Sequence, residues 1–257
     1  WRLCPNCSFT DMDTGAALLP ACPRCQDRMW ADSGQLKPMV RLTQVYANTR
    51  EDLAQIGDDN ETREPTFFNR QMLIDFNPDD TVYAYANANA TNVFGFEFIK
   101  KVQFKEINFG EQGSDQTKFS VAGVELARPG FKICRECGTV QRRGKDGHTY
   151  RCSYREVAED ADDGIVECLY LYRHYESEAI RILMPRLSVV NREEQLQSFV
   201  AALQLGLKTR FKGKVDHLNI PFHDEPVPGS TDRRSYLVLF DTVPGGTGYL
   251  QELLSDP

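Results

Sequence analysis

The residues whose types and spacing most clearly invite chemistry are eight cysteines. Six of them form three Cys-x-x-Cys pairs, Cys4–Cys7, Cys22–Cys25 and Cys134–Cys137, and Cys152 and Cys168 follow singly. A tight turn brings two sulfurs spaced this way to one side, and two such turns complete the four ligands of a tetrahedral cation site. In a reducing compartment thiols stay free of disulfides and favour metal, and zinc is the expected ion. Cys4, Cys7, Cys22 and Cys25 therefore read as one four-cysteine zinc ribbon. Pro5 and Pro23 stiffen its two turns, and Leu3, Leu18, Leu19 and Trp30 are candidate covers for the metal. Fourteen residues separate the pairs, just below the usual spacing of about fifteen to twenty. The rival is a thioredoxin-like redox pair, which needs a single Cys-x-x-Cys beside a strand and a helix rather than two matched pairs.

The second set is less symmetric. Cys134, Cys137 and Cys152 are its firm members, and His148, four residues before Cys152, gives the order C-x2-C-x10-H-x3-C. Cys168 is the alternative fourth ligand, although its surroundings, Ile165 to Tyr172, are rich in strand formers and suit a small buried apolar side chain. His174, His217 and His223 have no partner at ligand spacing and read as non-metal. Two closed sets of sulfur-rich ligands leave no open position for water, so both zinc ions are expected to be structural and not catalytic.

The elements that must hold these ligands are mainly strands. From about Leu36 to Leu126 strand-like runs alternate with polar turns: Val82 to Ala86 alternates, and Val93 to Phe109 is dense in Phe, Val and Ile, broken by Gly95. Asn77-Pro78-Asp79-Asp80 and Gly110 to Asp115 supply turn chemistry. The acidic stretch Arg50 to Pro65 reads as a mobile loop. Further runs at Val166 to Arg173, Ala179 to Met184 and Ser235 to Phe240 read as strands. One amphipathic helix is expected after Asn191, with Asn191 as cap, Glu194 three residues on, and Leu196, Phe199, Val200, Leu203 and Leu207 as the stripe that covers a sheet. The expected class is α+β: mainly antiparallel β, a few covering helices and two zinc modules. The expected segments are 1–35, a ribbon; 36–128, a β-rich domain; and 129–257, a second zinc-binding domain.

Asp241 to Leu250 forms a distinctive loop, D-T-V-P-G-G-T-G-Y-L, between the strand at Ser235 and a short helix over Gln251 to Leu254. Strand, glycine turn and helix can bind an anion, since backbone amides and the helix dipole then face it. Gly245 and Gly246 are accordingly candidate contacts for a DNA phosphate; the alternative is that the glycines permit close packing while Asp241 caps the turn. The loop lacks the Lys and Ser or Thr of a nucleotide-hydrolysing loop and is not G-x-G-x-x-G, which excludes ATP chemistry here.

A formal charge of -7 over 257 residues argues against nucleic-acid binding by bulk electrostatics. Any contact must be local, at Arg135, Arg142, Arg143, Lys145 and Arg151 or at Lys208, Arg210, Lys212 and Lys214. Solvated faces are the plainer account of such runs. Apolar residues make up 41% and charged residues 26%, as in a soluble globular domain. Neither a membrane-spanning run nor a secretory signal is present, so the expected place is the cytoplasm. The chain starts at Trp1 and stops at Pro257 after a helical opening turn, which suggests an excised fragment.

Several of these features occur in a recognisable order: Cys134-Arg-Glu-Cys137-Gly138, His148 and Cys152, Leu169 to Arg173, Ser177 to Ile182, and finally Asp241-x-x-Pro244-Gly245-Gly246-x-Gly248. The order resembles the zinc-binding domain that follows the motor of MrfA-like superfamily-2 DNA helicases in bacterial repair, and a motor-less version resembles the partner subunit of the DISARM phage-defence helicase. The resemblance covers roughly Lys132 to Leu254, about half of the chain, and leaves the N-terminal ribbon outside it. In those helicases a further cysteine cluster commonly follows the glycine loop, and this chain ends before one. The resemblance implies an accessory DNA-handling module with a helicase motor in cis or in trans. Neither a Walker motif nor an Asp-Glu box is present, so the residues themselves are not expected to be an enzyme. A scaffold docking a helicase to other subunits, or a nuclease using Asp241, Glu167 or Glu178, are the alternatives.

Overall fold

The computed structural model describes residues 1–14, 17–43, 68–87, 94–111, 118–127, 130–141, 148, 150–156, 164–184, 192–227, 230 and 232–255. The acidic stretch 50–65, the basic residues Arg142, Arg143 and Lys145, and the helix cap Asn191 lie outside the described residues. Strands in chain order are β1 (Arg2–Leu3), β2 (Thr10–Asp11), β3 (Met39–Arg41), β4 (Phe68–Phe76), β5 (Thr81–Ala86), β6 (Gly95–Glu111), β7 (Lys118–Val121), β8 (Val124–Ala127) and β9 (Phe131–Cys134). They continue with β10 (Ile165–Leu183), β11 (Leu218–Asn219), β12 (Phe222–Pro226) and β13 (Arg233–Asp241), and the α-helices among the described residues are α1 (Arg192–Arg210) and α2 (Tyr249–Ser255). Pairing among them is mostly antiparallel, which with two helices makes an α+β fold.

The chain divides into two compact units, 1–73 with 105–173, and 74–104 with 174–257. These units cut across the consecutive segments 1–35, 36–128 and 129–257, because the long strands β4, β6 and β10 each have residues in both. The breaks after Leu73, Phe104 and Arg173 fall inside continuous strands, where no turn residue marks them.

In the first unit, β9 runs antiparallel to β10, β3 runs parallel to it with Tyr170 opposite Met39, and β7 and β8 form a hairpin. Its core gathers Leu3, Leu73, Ile107, Phe109, Val121, Leu126, Tyr170 and Tyr172, with Phe109 and Tyr170 edge to face at 5.1 Å. Each such side chain contributes roughly 1.5–3 kcal/mol on burial. Two buried lysines are accommodated by aromatic faces: Lys37 Nζ lies 3.9 Å from the Phe119 ring centre and Lys105 Nζ 3.3 Å from that of Trp1.

In the second unit, β13 pairs antiparallel with β10 on one side and with β11 and β12 on the other, while β5 pairs with β6. Strand alternation sorts the faces. Ile180, Ile182, Leu237 and Leu239 join Leu207 of α1, Phe211, and Leu250 of α2 in one core. Between the two isoleucines Arg181 points the other way, over the Phe76 and Tyr236 rings and into ion pairs with Glu97 and Glu225. α1 thus covers the sheet as expected, through Val200, Leu203 and Leu207. Phe199 is a correction to the expected stripe: it is 40% exposed, because the buried line advances by four, three and four residues from Leu196 and passes it by.

Two other expectations change. Val166–Arg173 and Ala179–Leu183 belong to one strand, β10, which stops one residue short of Met184 and whose intervening Ser177 and Glu178 are polar yet buried. Gly95 opens β6 rather than breaking it, and a Cβ there would lie 2.9 Å from the Tyr85 carbonyl oxygen across the ladder. Tyr83 and Tyr85 of β5 pair with Phe96 at 5.9 and 5.6 Å as cross-strand neighbours, each about half exposed.

Candidate metal centres

Both cysteine-rich sets lie in the first unit, and within each the four ligand atoms lie within 4.8 Å of one another: Cys4, Cys7, Cys22 and Cys25, then Cys134, Cys137, His148 and Cys152. Either group could hold a metal ion. At the ribbon, Cys4 Sγ stands 3.6 Å from Cys25 Sγ, and Cys7 Sγ 3.6 Å from Cys22 Sγ. A disulfide would bring sulfurs to about 2.05 Å; a tetrahedron with Zn–S near 2.3 Å has edges of about 3.8 Å. The observed spacing suits four ligands around one ion and not a disulfide.

The local chain explains this geometry. The amides of Asn6 and Cys7 both point at Cys4 Sγ, at 3.4 Å, and those of Arg24 and Cys25 point at Cys22 Sγ. Each turn therefore surrounds its first sulfur with N–H donors, which favour thiolate over thiol. Closing bonds run from Cys4 N to Phe9 O at 3.1 Å and from Cys22 N to Asp27 O at 2.9 Å. The Asp27 carboxylate accepts from Met29 N at 2.8 Å, which starts the short turn that presents Trp30 to the sulfurs. Hydrogen bonds from Cys4 and Cys7 lower the Cys22 thiol to about 2, while the bond to Cys22 pushes Cys4 up to about 12 and Cys7 higher still. Four sulfurs this close cannot all ionise alone; a divalent cation removes the conflict by taking all four as thiolates.

Of the expected covers Trp30 is in place, and the three leucines are not. Trp30 is buried on the cysteines, with Phe9 packed at 5.4 Å from it, whereas Leu18 and Leu19 are 50% and 52% exposed and Leu3 belongs to the sheet core. Phe9 carried no sequence signal, since one aromatic between two cysteine pairs is unremarkable.

At the second set, Cys134 Sγ lies 3.7 Å from Cys152 Sγ, and His148 Nδ1 lies 3.4 Å from Cys152 Sγ and 3.9 Å from Cys137 Sγ. For Zn–S near 2.3 Å and Zn–N near 2.05 Å the sulfur-to-nitrogen edge is about 3.6 Å, so His148 sits where a fourth ligand belongs. Gly138, at φ +68°, allows the Cys134–Cys137 turn to close with its amide on the Cys134 carbonyl at 2.9 Å. Glu136 braces the other side: its carboxylate accepts from the Ser153 amide at 3.2 Å and from the Ser153 hydroxyl, and these bonds hold it below the usual carboxylate range. Cys134 and Cys152 are buried, but Cys137 and His148 are half-buried. The backbone of Cys168 is part of β10.

Of the basic residues, Arg135, Arg151, Lys208, Arg210, Lys212 and Lys214 are exposed, and Arg210 lies 4.0 Å from Glu252.

The D-x-x-P-G-G-x-G loop lies in the second unit, and its amides are already used. Asp241, fully buried, accepts from Val243 N at 2.8 Å and Thr247 N at 2.6 Å; Glu178 accepts from Gly248 N at 3.2 Å. Gly245 N donates to Glu176 O and Gly246 N to Val243 O. An anion at Gly245 and Gly246 would have to displace these bonds beside two carboxylates. Gly246 is required by space, because a Cβ there would meet Glu178 Cγ at 2.8 Å. Burial pushes the Glu178 carboxyl above its ordinary range, although the Gln251 amide also bonds it at 3.2 Å. Of the carboxylates named for a nuclease, Asp241 and Glu178 hold this loop, and Glu167 pairs with Lys132 on the surface of the first unit. Among the described residues the groupings of three or more metal-ligand side chains are the two cysteine sets. Comparison with protein-family models, with curated proteins and with solved structures found no match for the chain.

Proposed function

We propose that this chain is a zinc-stabilised, non-enzymatic module that binds DNA beside a superfamily-2 helicase motor, carried in cis or supplied in trans, in repair or phage defence in the cytoplasm. The observation that carries the reading is the closure of both four-ligand sets at tetrahedral spacing, which suits a folding role for zinc and leaves no place for a reacting water. The order of motifs from Cys134 to Gly248 supports the association with a helicase. Exposed Arg135 and Arg151, and Lys208, Lys212 and Lys214 at the end of α1, are the described residues suited to phosphate contacts.

Metal analysis of the purified chain tests the first half of this proposal: two zinc per chain are expected, and one in each of Cys4→Ser and His148→Ala. Binding of a short duplex at several salt concentrations tests the second half. Affinity should fall with salt at a slope of about 0.9 per phosphate neutralised, and no measurable binding at low salt would remove DNA from the proposal. A docking scaffold is the second reading, favoured by the exposure of Met12, Leu18, Leu19 and Met29 around the ribbon. It predicts retained zinc without DNA affinity. No helix among the described residues is long and apolar enough to cross a membrane.

A further inference from the structure

The surface beside the second cysteine set combines features that differ from the rest of this acidic chain. Between Lys132 and Arg155 the sequence has seven lysines and arginines against two acidic residues, Glu136 and Asp146. Glu136 is committed to Ser153. In the same first unit, the segment from His148 to Arg155 carries two tyrosines with opposite fates. Tyr154 is locked: Arg135 donates to its hydroxyl at 2.9 Å and lies over its ring at 5.2 Å, and its ring atoms come within 2.6 Å of where a Cβ on Gly164 would stand. Tyr150, two residues before the ligand Cys152, is 85% exposed, the most open of the large hydrophobic side chains among the described residues. The Arg155 guanidinium lies 4.9 Å from its ring centre, and Arg151 beside it is also exposed.

An aromatic ring left in water loses the burial energy that normally justifies it. Here the Arg155 guanidinium steadies one face and the high exposure leaves the other open, next to the exposed Arg151. Unpaired bases stack on such a ring, and the flanking guanidinium groups can meet the phosphates on either side. Bases within a duplex are stacked on one another and do not offer that face. We infer that Tyr150, with Arg151 and Arg155, forms a base-stacking platform for single-stranded DNA, built on the loop that the second metal set holds in place. This rests on the DNA-binding reading above and adds strand preference and a named contact.

Fluorescence anisotropy with the intact zinc-loaded chain tests it, using a labelled oligothymidylate of about fifteen nucleotides, and the same strand annealed to its complement. The single strand should bind more tightly than the duplex. Tyr150→Ala should weaken single-strand binding roughly tenfold, Tyr150→Phe should stay within about twofold, and duplex affinity should move by less than about twofold. Arg155→Gln should reduce the salt slope by about one. Zinc content measured on each variant should match the parent, since Tyr150 is not a ligand. Duplex binding by the parent, with Tyr150→Ala equal to it on the single strand, would overturn the platform while leaving the DNA reading intact. An equal loss on both probes would also overturn it. Failure of the parent to bind either probe would remove both readings together.

Discussion

The ribbon and the second cysteine set could each hold a metal ion, but with different amounts of cover. Cys4, Cys7 and Cys22 are buried under Trp30 and Phe9, and Cys25 is half-buried. At the second set the half-buried members are Cys137 and His148, and bracing comes from polar contacts such as Glu136 to Ser153. The difference separates ligand geometry from the cover on which metal retention would depend. Spacing along the chain sets the geometry, while retention would depend on how much apolar material excludes water and competing ligands from the sulfurs.

The largest effect expected is from Cys22→Ser. It removes a buried sulfur that collects two amide bonds, so the chain should lose one zinc and about 4 kcal/mol, roughly 8–16 °C in the thermal midpoint. Metal analysis and thermal unfolding check this; an unchanged midpoint would show that the ribbon contributes nothing to the fold. Trp30→Ala breaks the comparison from the other side. It should cost about 3 kcal/mol and make the ribbon as quick to lose zinc to a coloured chelator as the second set. In the unaltered chain the same chelator should show two phases, with the second set released roughly tenfold faster; zinc-loaded His148→Ala should retain only the slow phase. A single phase would mean that cover does not govern retention.

The smallest effect is a control in the other unit. The Glu178 carboxyl is pushed above its ordinary range by burial. Folding therefore favours its protonated form, and its contribution to stability is present below the unfolded value and lost as pH rises through the folded one. Glu178→Gln should flatten that loss over mildly acidic pH, the smallest change of those predicted, with zinc content unchanged. Thermal midpoints measured across the range read it, and an unaltered pH profile would reject the role given to burial.

Much of the candidate site is legible in the order of residues alone. Cys-x-x-Cys is a local device: the turn that bonds its amides to the first sulfur needs only neighbouring residues, so Cys4, Cys7, Cys22, Cys25, Cys134 and Cys137 announce their geometry in one dimension. His148 is legible through its four-residue distance from Cys152, though Cys168 competes with it on composition. Strand alternation likewise announces β6, β13 and the ends of β10. The middle of β10 is hidden because Ser177 and Glu178 are polar, and their burial depends on the glycine loop they hold.

By itself, then, the sequence determined the ligand pairs, the predominance of strands and the one long helix, since each follows from contacts between residues near in the chain. Only the tertiary structure decided that Trp30 and Phe9 cover the ribbon while Leu18 and Leu19 face water, and that the glycine loop's amides serve Asp241 and Glu178. It also left Tyr150 open while locking Tyr154. Burial and hydrogen-bond satisfaction are sums over neighbours far apart in sequence, and no local pattern of residue types contains them.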